Sequence, residues 1–357
     1  MAIQRDSAGI AIESSQSSES SSQKTADRVQ GGEQEQADGL EDLIQEVRTG
    51  LVKTPKRLSS RFFYDAEGSR LFQEIMHSPE YYLTRSEYEI LDTNKDDLLQ
   101  LFTAGNRPFE LVELGAGDGL KTKILLSYFQ EKKADFTYAP IDISQSALDG
   151  LTADIRRQWP DLRVDPQHDD YFNALGRLSA DSDAQASPPR LVVLFLGSNI
   201  GNFSRQEAND FYSQINSRLR PGDLVLTGFD LQKHPAVIHA AYNDRQGLTK
   251  AFNLNLLRRI NRELDANFDL SAFDHYEVYN PENGEARSYL VSQKDQTITI
   301  GALDMVVPFR YGEIIHTEIS RKFTRTDIEQ LARATNFSIT GWFTDCKGYF
   351  ADVLFEK

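Results

Sequence analysis

Residues 109–122, FELVELGAGDGLKT, constrain the fold more than any other stretch of the chain. They hold an apolar run, a carboxylate at Glu113, glycines at positions 115, 117 and 119, and then a segment with helical apolar spacing. A strand that ends in glycines and feeds a helix lets backbone N–H groups approach a ligand at the positive helix end, because no Cβ blocks the way. The stretch therefore predicts a nucleotide-type pocket at a strand-to-helix turn. Spacing narrows the nucleotide. A dinucleotide fingerprint, G-x-G-x-x-G, needs its third glycine where Leu120 stands. The phosphate loop G-x-x-x-x-G-K-[ST] is absent around Lys121 and Thr122 as well.

What remains, E-L-G-x-G-x-G, resembles the first motif of class I S-adenosylmethionine-dependent methyltransferases. Later segments fit the same plan. FTYAPIDIS (136–144) reads as a second strand ending in Asp142, whose carboxylate can accept from both hydroxyls of a ribose. LRVDPQHDDYF (162–172) reads as a third, ending in Asp169 and Asp170 beside Tyr171, suited to an adenine amino group and a stacking face. PRLVVLFLGSNIGNF (189–203) is almost wholly apolar, as a strand covered on both faces should be, and runs into Gly197, Ser198, Asn199, Gly201 and Asn202. In open α/β sheets ligands bind beyond the carboxyl ends of the strands, so this loop should face the same crevice.

Composition limits the alternatives. Lys and Arg total 39 against 54 Asp and Glu, a net charge of −15 that repels nucleic acid and anionic membranes. The single cysteine, Cys346, excludes an intrachain disulfide, and no histidine or cysteine spacing suggests a metal site. No apolar run reaches membrane-spanning length and no signal-peptide core is present, so a soluble, cytoplasmic monomer is expected. Residues 1–38 are rich in Ser and Gln and too poor in apolar surface to offset ordering entropy, and they are expected to be a disordered tail.

From Leu40 a helical pattern begins, followed by the aromatic-dense segment 55–91, in which the polar YDAEGS stretch reads as a loop able to close over a small ligand. LRPGDLVLTGFDL (219–231) continues the sheet. Residues 234–264 read as helices, 276–323 as antiparallel strands, 324–337 as a helix, and the C-terminus as a strand pair. The expected fold is α/β: a doubly wound, Rossmann-like sheet over 86–231 and 323–357, with a second α+β substrate-binding domain formed by 39–85 and the insertion 232–322.

The full set of motifs, FFYDAEGSRLF, PEYYLTRSEYEIL, LVELGAGDGLKT, FLGSNIGN, AYNDRQGLTKAFNLNLLRRINREL and HTEISRKF, resembles the histidine-specific methyltransferases of ergothioneine biosynthesis, from about residue 40 to the C-terminus. These enzymes trimethylate the α-amine of L-histidine to hercynine, using S-adenosylmethionine and no metal. The resemblance implies that Gly115, Gly117, Lys121, Asp142, Asp170 and Tyr171 hold the methyl donor. It places Tyr64, Phe72 and Gly197 around the amine, and Tyr81, Asn202 and Tyr242 near the carboxylate. Glu318 and Ser320 would bind the imidazole, and as residues two apart on a strand they point to one face. Ser288 stands where bacterial members commonly carry a methionine, which enlarges or wets the side-chain end of the pocket. That leaves another aromatic amino acid, such as a tryptophan derivative, as the alternative acceptor.

Taken singly, each residue has a plainer role: Glu318 on a solvated strand face, Asn202 capping a helix, the aromatics in a core. A non-catalytic S-adenosylmethionine-binding protein would lack the amine and carboxylate groups, and a nicotinamide-dependent oxidoreductase would carry the missing third glycine. Methyl transfer needs a neutral amine held in line with an activated methyl group. Tyr64 is the candidate catalytic residue, as hydrogen-bond partner of that amine. Its ring and that of Phe72 could also receive the growing ammonium charge.

Overall fold

In the computed structural model, the described residues are 39–104, 107–183 and 188–357. The tail expected over 1–38 lies outside them. The chain runs through helix α1 (39–50), β1 (Lys56–Arg57), α2 (Ala66–His77), α3 (Leu83–Phe102), β2 (Phe109–Leu114), α4 (Thr122–Glu131), β3 (Phe136–Asp142) and α5 (Gln145–Gln158). Next come β4 (Arg163–Val164), β5 (Gln167–His168), α6 (Tyr171–Asp183), β6 (Arg190–Phe195), α7 (Arg205–Arg218), β7 (Leu224–Asp230), α8 (Pro235–Tyr242) and α9 (Leu248–Leu264). Strands β8 (Phe273–Asn280), β9 (Glu285–Ser292), β10 (Gln296–Ile300), β11 (Met305–Phe309) and β12 (Ile314–Arg321) precede α10 (Arg325–Ala334), β13 (Ser338–Thr344) and β14 (Phe350–Glu356).

The larger sheet has the order β13-β14-β7-β6-β2-β3-β4, with β5 also pairing β3. Strands β3, β2, β6 and β7 are mutually parallel, and β14 is inserted antiparallel between β7 and β13. This is the class I methyltransferase sheet expected from the sequence. Both of its faces are covered, which explains the continuous apolar strands: on β6, Leu191, Val193 and Phe195 enter one core cluster, while Val192 and Leu194 enter the other. Each such side chain contributes roughly 1.5–3 kcal/mol by leaving water.

Two local readings are corrected. Segment 162–172 is not one strand: Pro166 separates two two-residue bridges, because a proline has no N–H to give a ladder. YDAEGS is not a loop but the start of α2. The Asp65 side chain accepts from Gly68 N at 2.8 Å as its N-cap and is also held by Asn255 and Arg262 of α9.

A second, smaller sheet has the order β1-β12-β9-β8. It meets the end of β7 through backbone bonds from Phe323 N to Asp230 O and from Gln232 N to Phe323 O, at 2.8 and 2.9 Å. Gly201, in the 3-10 turn after β6, packs so closely on β12 that a Cβ there would lie 2.8 Å from Arg321 O. The loop after β6 and the face of β12 are thereby brought together.

Candidate functional site

The glycine loop follows β2 with φ of +69°, +53° and +63° at Gly115, Gly117 and Gly119. Two of the three positions also need the space: a Cβ would lie 2.6 Å from the Tyr171 hydroxyl at Gly115 and 2.7 Å from Leu151 at Gly119. At Gly117 a Cβ would meet nothing within 4 Å, so the loop is open there. Asp142, at the end of β3, accepts from Ser144 N at 2.9 Å and Gly117 N at 3.4 Å. The Tyr171 hydroxyl is pushed up to about 12 by burial and by the nearby Asp142 charge. An open glycine backbone flanked by one carboxylate and one aromatic ring fits a nucleoside with vicinal hydroxyls. Asp170 instead engages its own helix, accepting from Phe172 N and Asn173 N at 2.9 and 3.0 Å, and Asp169 pairs with Arg177. Glu113 turns inward to Thr122 and Tyr138, and burial raises its carboxyl to about 7.

Glu87 of α3 joins the glycine loop to the end of β6. Its side chain is 1% exposed, it accepts from Gly197 N at 2.7 and 3.0 Å, and it ion-pairs with Lys121. Gly228 admits it, since a Cβ there would lie 2.2 Å from Glu87 Oε1.

Beyond Gly197 opens a cavity lined by Tyr64, Phe72, Tyr81, Gly197, Asn202, Tyr242, Glu318 and Ser320, together with Phe252, Ser198 and others. Eight of the nine residues expected to surround the acceptor are thus brought together from six separate segments. The ninth, Ser288, does not line the cavity: it sits on β9 beside Glu318, its Cα partner on β12. Asn202 is free of capping duty, because Ser204 caps α7. One wall is aromatic, with Tyr64 packed edge-on to Phe72 and Phe252 at 5.5 and 5.4 Å between ring centroids. Burial and the Glu318 charge raise the Tyr64 hydroxyl above its ordinary range, so it stays protonated. The residue as a whole is half exposed.

The opposite wall is polar and rests on buried charge. Lys322 donates to the Tyr242 hydroxyl at 2.6 Å and the Ser320 hydroxyl at 2.7 Å, and pairs with Asp230 at 2.9 Å. Asp230 also meets Lys233 and accepts from the Tyr82 hydroxyl at 2.8 Å. Burial would raise the Asp230 carboxyl, but the two lysines overcome it and hold it below the usual range. Among the described residues Glu318 has no such pair, and it is raised to about 7 by burial, with Lys322 and the Ser288 hydroxyl opposing. The bulge between His316 and Glu318 sets the aim of this strand, with Thr317 Oγ1 donating to Asn253 Oδ1 at 2.7 Å.

Residues 43–357 match the model of the S-adenosylmethionine-dependent, histidine-specific methyltransferases. The chain belongs to that family. It is 36% identical over 310 residues to a histidine N-alpha-methyltransferase of Mycolicibacterium smegmatis, covering 87% of this chain and 93% of that one. A histidine N-alpha-methyltransferase of Mycobacterium tuberculosis is 35% identical, covering 88% and 95%. Ergothioneine biosynthesis protein 1 of Schizosaccharomyces pombe is 30% identical, covering 84% of this chain and 39% of that protein.

In this methyltransferase, four buried polar residues were not anticipated as parts of the site, and three of them carry a sequence signal. Glu87 occupies an apolar helical stripe with Leu83, Ile90 and Leu91. Lys322 continues the alternation of Glu318 and Ser320, Asp230 ends the apolar strand LVLTGFD, and Phe252 lies on the buried face of α9. Glu277, buried one strand beyond Ser288, is the fourth polar group.

Proposed function

We propose that this enzyme transfers methyl groups from S-adenosylmethionine to the α-amine of L-histidine, three times in succession, to give hercynine. One observation carries the reading above all: a single cavity is lined by the aromatic rings of Tyr64, Phe72 and Phe252 together with the half-buried carboxyl of Glu318, and Gly197 connects it through Glu87 and Lys121 to the glycine loop. The family membership supports it. The donor would lie over Gly117 with Asp142 and Tyr171 at its nucleoside, and it supplies a methyl group already activated on a sulfonium.

The residues of the chain have the remaining work of alignment. Glu318 accepts from an imidazole N–H, and Asn202 and Tyr242 meet the α-carboxylate, so the amine points at the aromatic wall beside Gly197. Only the free amine has a lone pair, so the transfer needs the deprotonated amine held in line with the methyl group. Tyr64, held protonated, offers its hydroxyl oxygen to an N–H of the amine while the lone pair faces the methyl group. As the N–C bond forms, the C–S bond breaks. The nitrogen then sheds a proton before the next transfer, and no proton remains to be lost after the third. Aromatic faces receive the quaternary ammonium by cation–π attraction, worth about 0.5–2 kcal/mol.

The test is incubation with S-adenosylmethionine and each of the twenty amino acids, read by mass spectrometry. Histidine gaining three methyl groups is the expected result. Histidine unchanged while another amino acid gains methyl groups would refute the acceptor.

A further inference from the structure

Three polar side chains from adjacent strands share one face of the smaller sheet. Glu318 on β12 is paired in register with Ser288 on β9, and Ser288 with Glu277 on β8. Residues directly opposite in a sheet project to the same side. Ser288 Oγ lies 2.8 Å from Glu277 Oε2, and Glu318 stands directly opposite Ser288 in register, where the serine hydroxyl acts to lower its carboxyl. Ser288 is 1% and Glu277 4% exposed, and Glu277 Oε1 is buried without a partner. The proposed reaction gives Glu277 no role.

A serine hydroxyl has one hydrogen and cannot donate to two carboxylates at once. Glu277 is out of water and feels the charge of Glu318, and both effects favour its neutral form. Lys322 opposes the rise of both carboxyls, and its bonds to Tyr242 and Ser320 place it among the residues that line the cavity with Glu318. The orphan oxygen of Glu277 also favours the neutral form, because an unpaired oxygen is less costly on a neutral carboxyl than on a carboxylate.

We propose that Glu277 is a positioning residue for the acceptor: its carboxyl donates to Ser288 Oγ, Ser288 donates to Glu318, and this relay holds the Glu318 carboxylate in place to receive a ring N–H. The inference rests on the histidine reading and deepens it. A carboxylate fixed in this way selects a side chain that ends in an N–H donor, since an apolar ring such as that of phenylalanine would leave it buried and unpaired. Glu277 never touches the acceptor, and it acts through Ser288.

The test is calorimetric binding of histidine to the wild type and to the Ser288→Ala, Glu277→Leu and Glu277→Gln variants, each first shown to bind S-adenosylhomocysteine normally. Ser288→Ala and Glu277→Leu cut the relay and should weaken histidine binding roughly tenfold, the effect of one hydrogen bond to a charged group. Glu277→Gln keeps a donor for Ser288 and should bind within about threefold of the wild type. In turnover, the loss should fall on KM with kcat changed much less. Should Glu277→Leu fail to fold, Ser288→Ala alone decides. Equal histidine affinity in wild type and Ser288→Ala would overturn the relay, as would a Glu277→Gln variant as weak as Glu277→Leu. A wild type that binds S-adenosylhomocysteine but not histidine would instead overturn the histidine reading, and the relay with it.

Discussion

Replacing Glu277 by Gln should make the protein more stable at neutral pH and change it little at acid pH. Burial, the largest influence, raises the Glu277 carboxyl to about 8 from the 4.5 of a free glutamate side chain, with the Glu318 charge adding to it and Ser288 and Lys322 opposing. The folded protein therefore keeps a proton that the unfolded chain has lost. Its contribution is fully present below about pH 4.5 and disappears as pH rises towards about 8. At 1.36 kcal/mol per pH unit, the accumulated penalty is about 1 kcal/mol at pH 5 and about 3 kcal/mol at pH 7. Glutamine is neutral at both and escapes it. The advantage of Glu277→Gln should thus grow by about 2 kcal/mol between pH 5 and pH 7. At roughly 2 °C per kcal/mol for a chain of this size, that is an extra 4–5 °C in Tm. Differential scanning calorimetry of both proteins without ligand, at the two pH values, reads it. A Tm difference that is the same at pH 5 and pH 7 would show that Glu277 is ionised in the folded protein.

Three further outcomes are expected. Lys322→Met removes a fully buried cation, but Asp230 retains Lys233 and Tyr82. Stability should therefore fall by about 3 kcal/mol, the low end for a broken buried pair, seen as a Tm lower by roughly 6 °C. An unchanged Tm would remove Lys322 from the supports of the polar wall. Glu318→Ala should raise the histidine KM roughly 10- to 100-fold and leave S-adenosylhomocysteine affinity unaltered; equal effects on both ligands would place Glu318 outside the acceptor site. Gly115→Ala and Gly117→Ala carry the same backbone strain, about 1 kcal/mol, but only the first meets Tyr171, at 2.6 Å. Calorimetry should show the larger loss of S-adenosylhomocysteine affinity in Gly115→Ala, and equal losses would refute the assigned geometry of the loop.

The sheet was legible because its signals are local. Alternate residues of LVVLF fill two different cores, and glycines at 115, 117 and 119 mark the turn at which the ligand crevice begins. Glu318 and Ser320 were legible together, because period two places them on one face. What escaped depends on distant partners. Glu87 is a carboxylate in an apolar helical stripe, and its meaning appears only when Gly197 N, 110 residues away, is found to donate to it. Asp230 and Lys322 look like a strand end and a basic residue on a strand until the two meet without solvent. Breaks in local structure were also missed: Asp65 caps a helix where a polar loop was expected, because the cap is completed by Asn255 and Arg262 from another helix. Ser288 was expected at the pocket surface, and its register instead sets it between two acids.

The buried charges bear directly on the protonation problem of the proposed reaction. Above about pH 7, where Glu318 is ionised, Asp230 and Glu318 contribute two negative charges, and Lys322 and Lys233 contribute two positive ones. Lys233 is lowered only to about 8 by burial, with Asp230 opposing, so it remains mostly charged at neutral pH. With its proton on Glu277, the cluster sums to zero. Ionisation of Glu277 would leave it at −1, and a net negative cluster near the cavity stabilises an ammonium over the free amine. The attacking nitrogen would then be held in the form that has no lone pair. Retaining the Glu277 proton therefore serves two ends: it leaves Ser288 free to orient Glu318, and it spares the amine an electrostatic penalty for being neutral. The two effects separate experimentally, because orientation of Glu318 acts on acceptor affinity, whereas amine protonation acts on the pH at which turnover begins to rise. Glu277→Gln preserves both and Ser288→Ala disturbs only the first, so the pH profile of kcat should be shared by these two variants even where their histidine affinities differ.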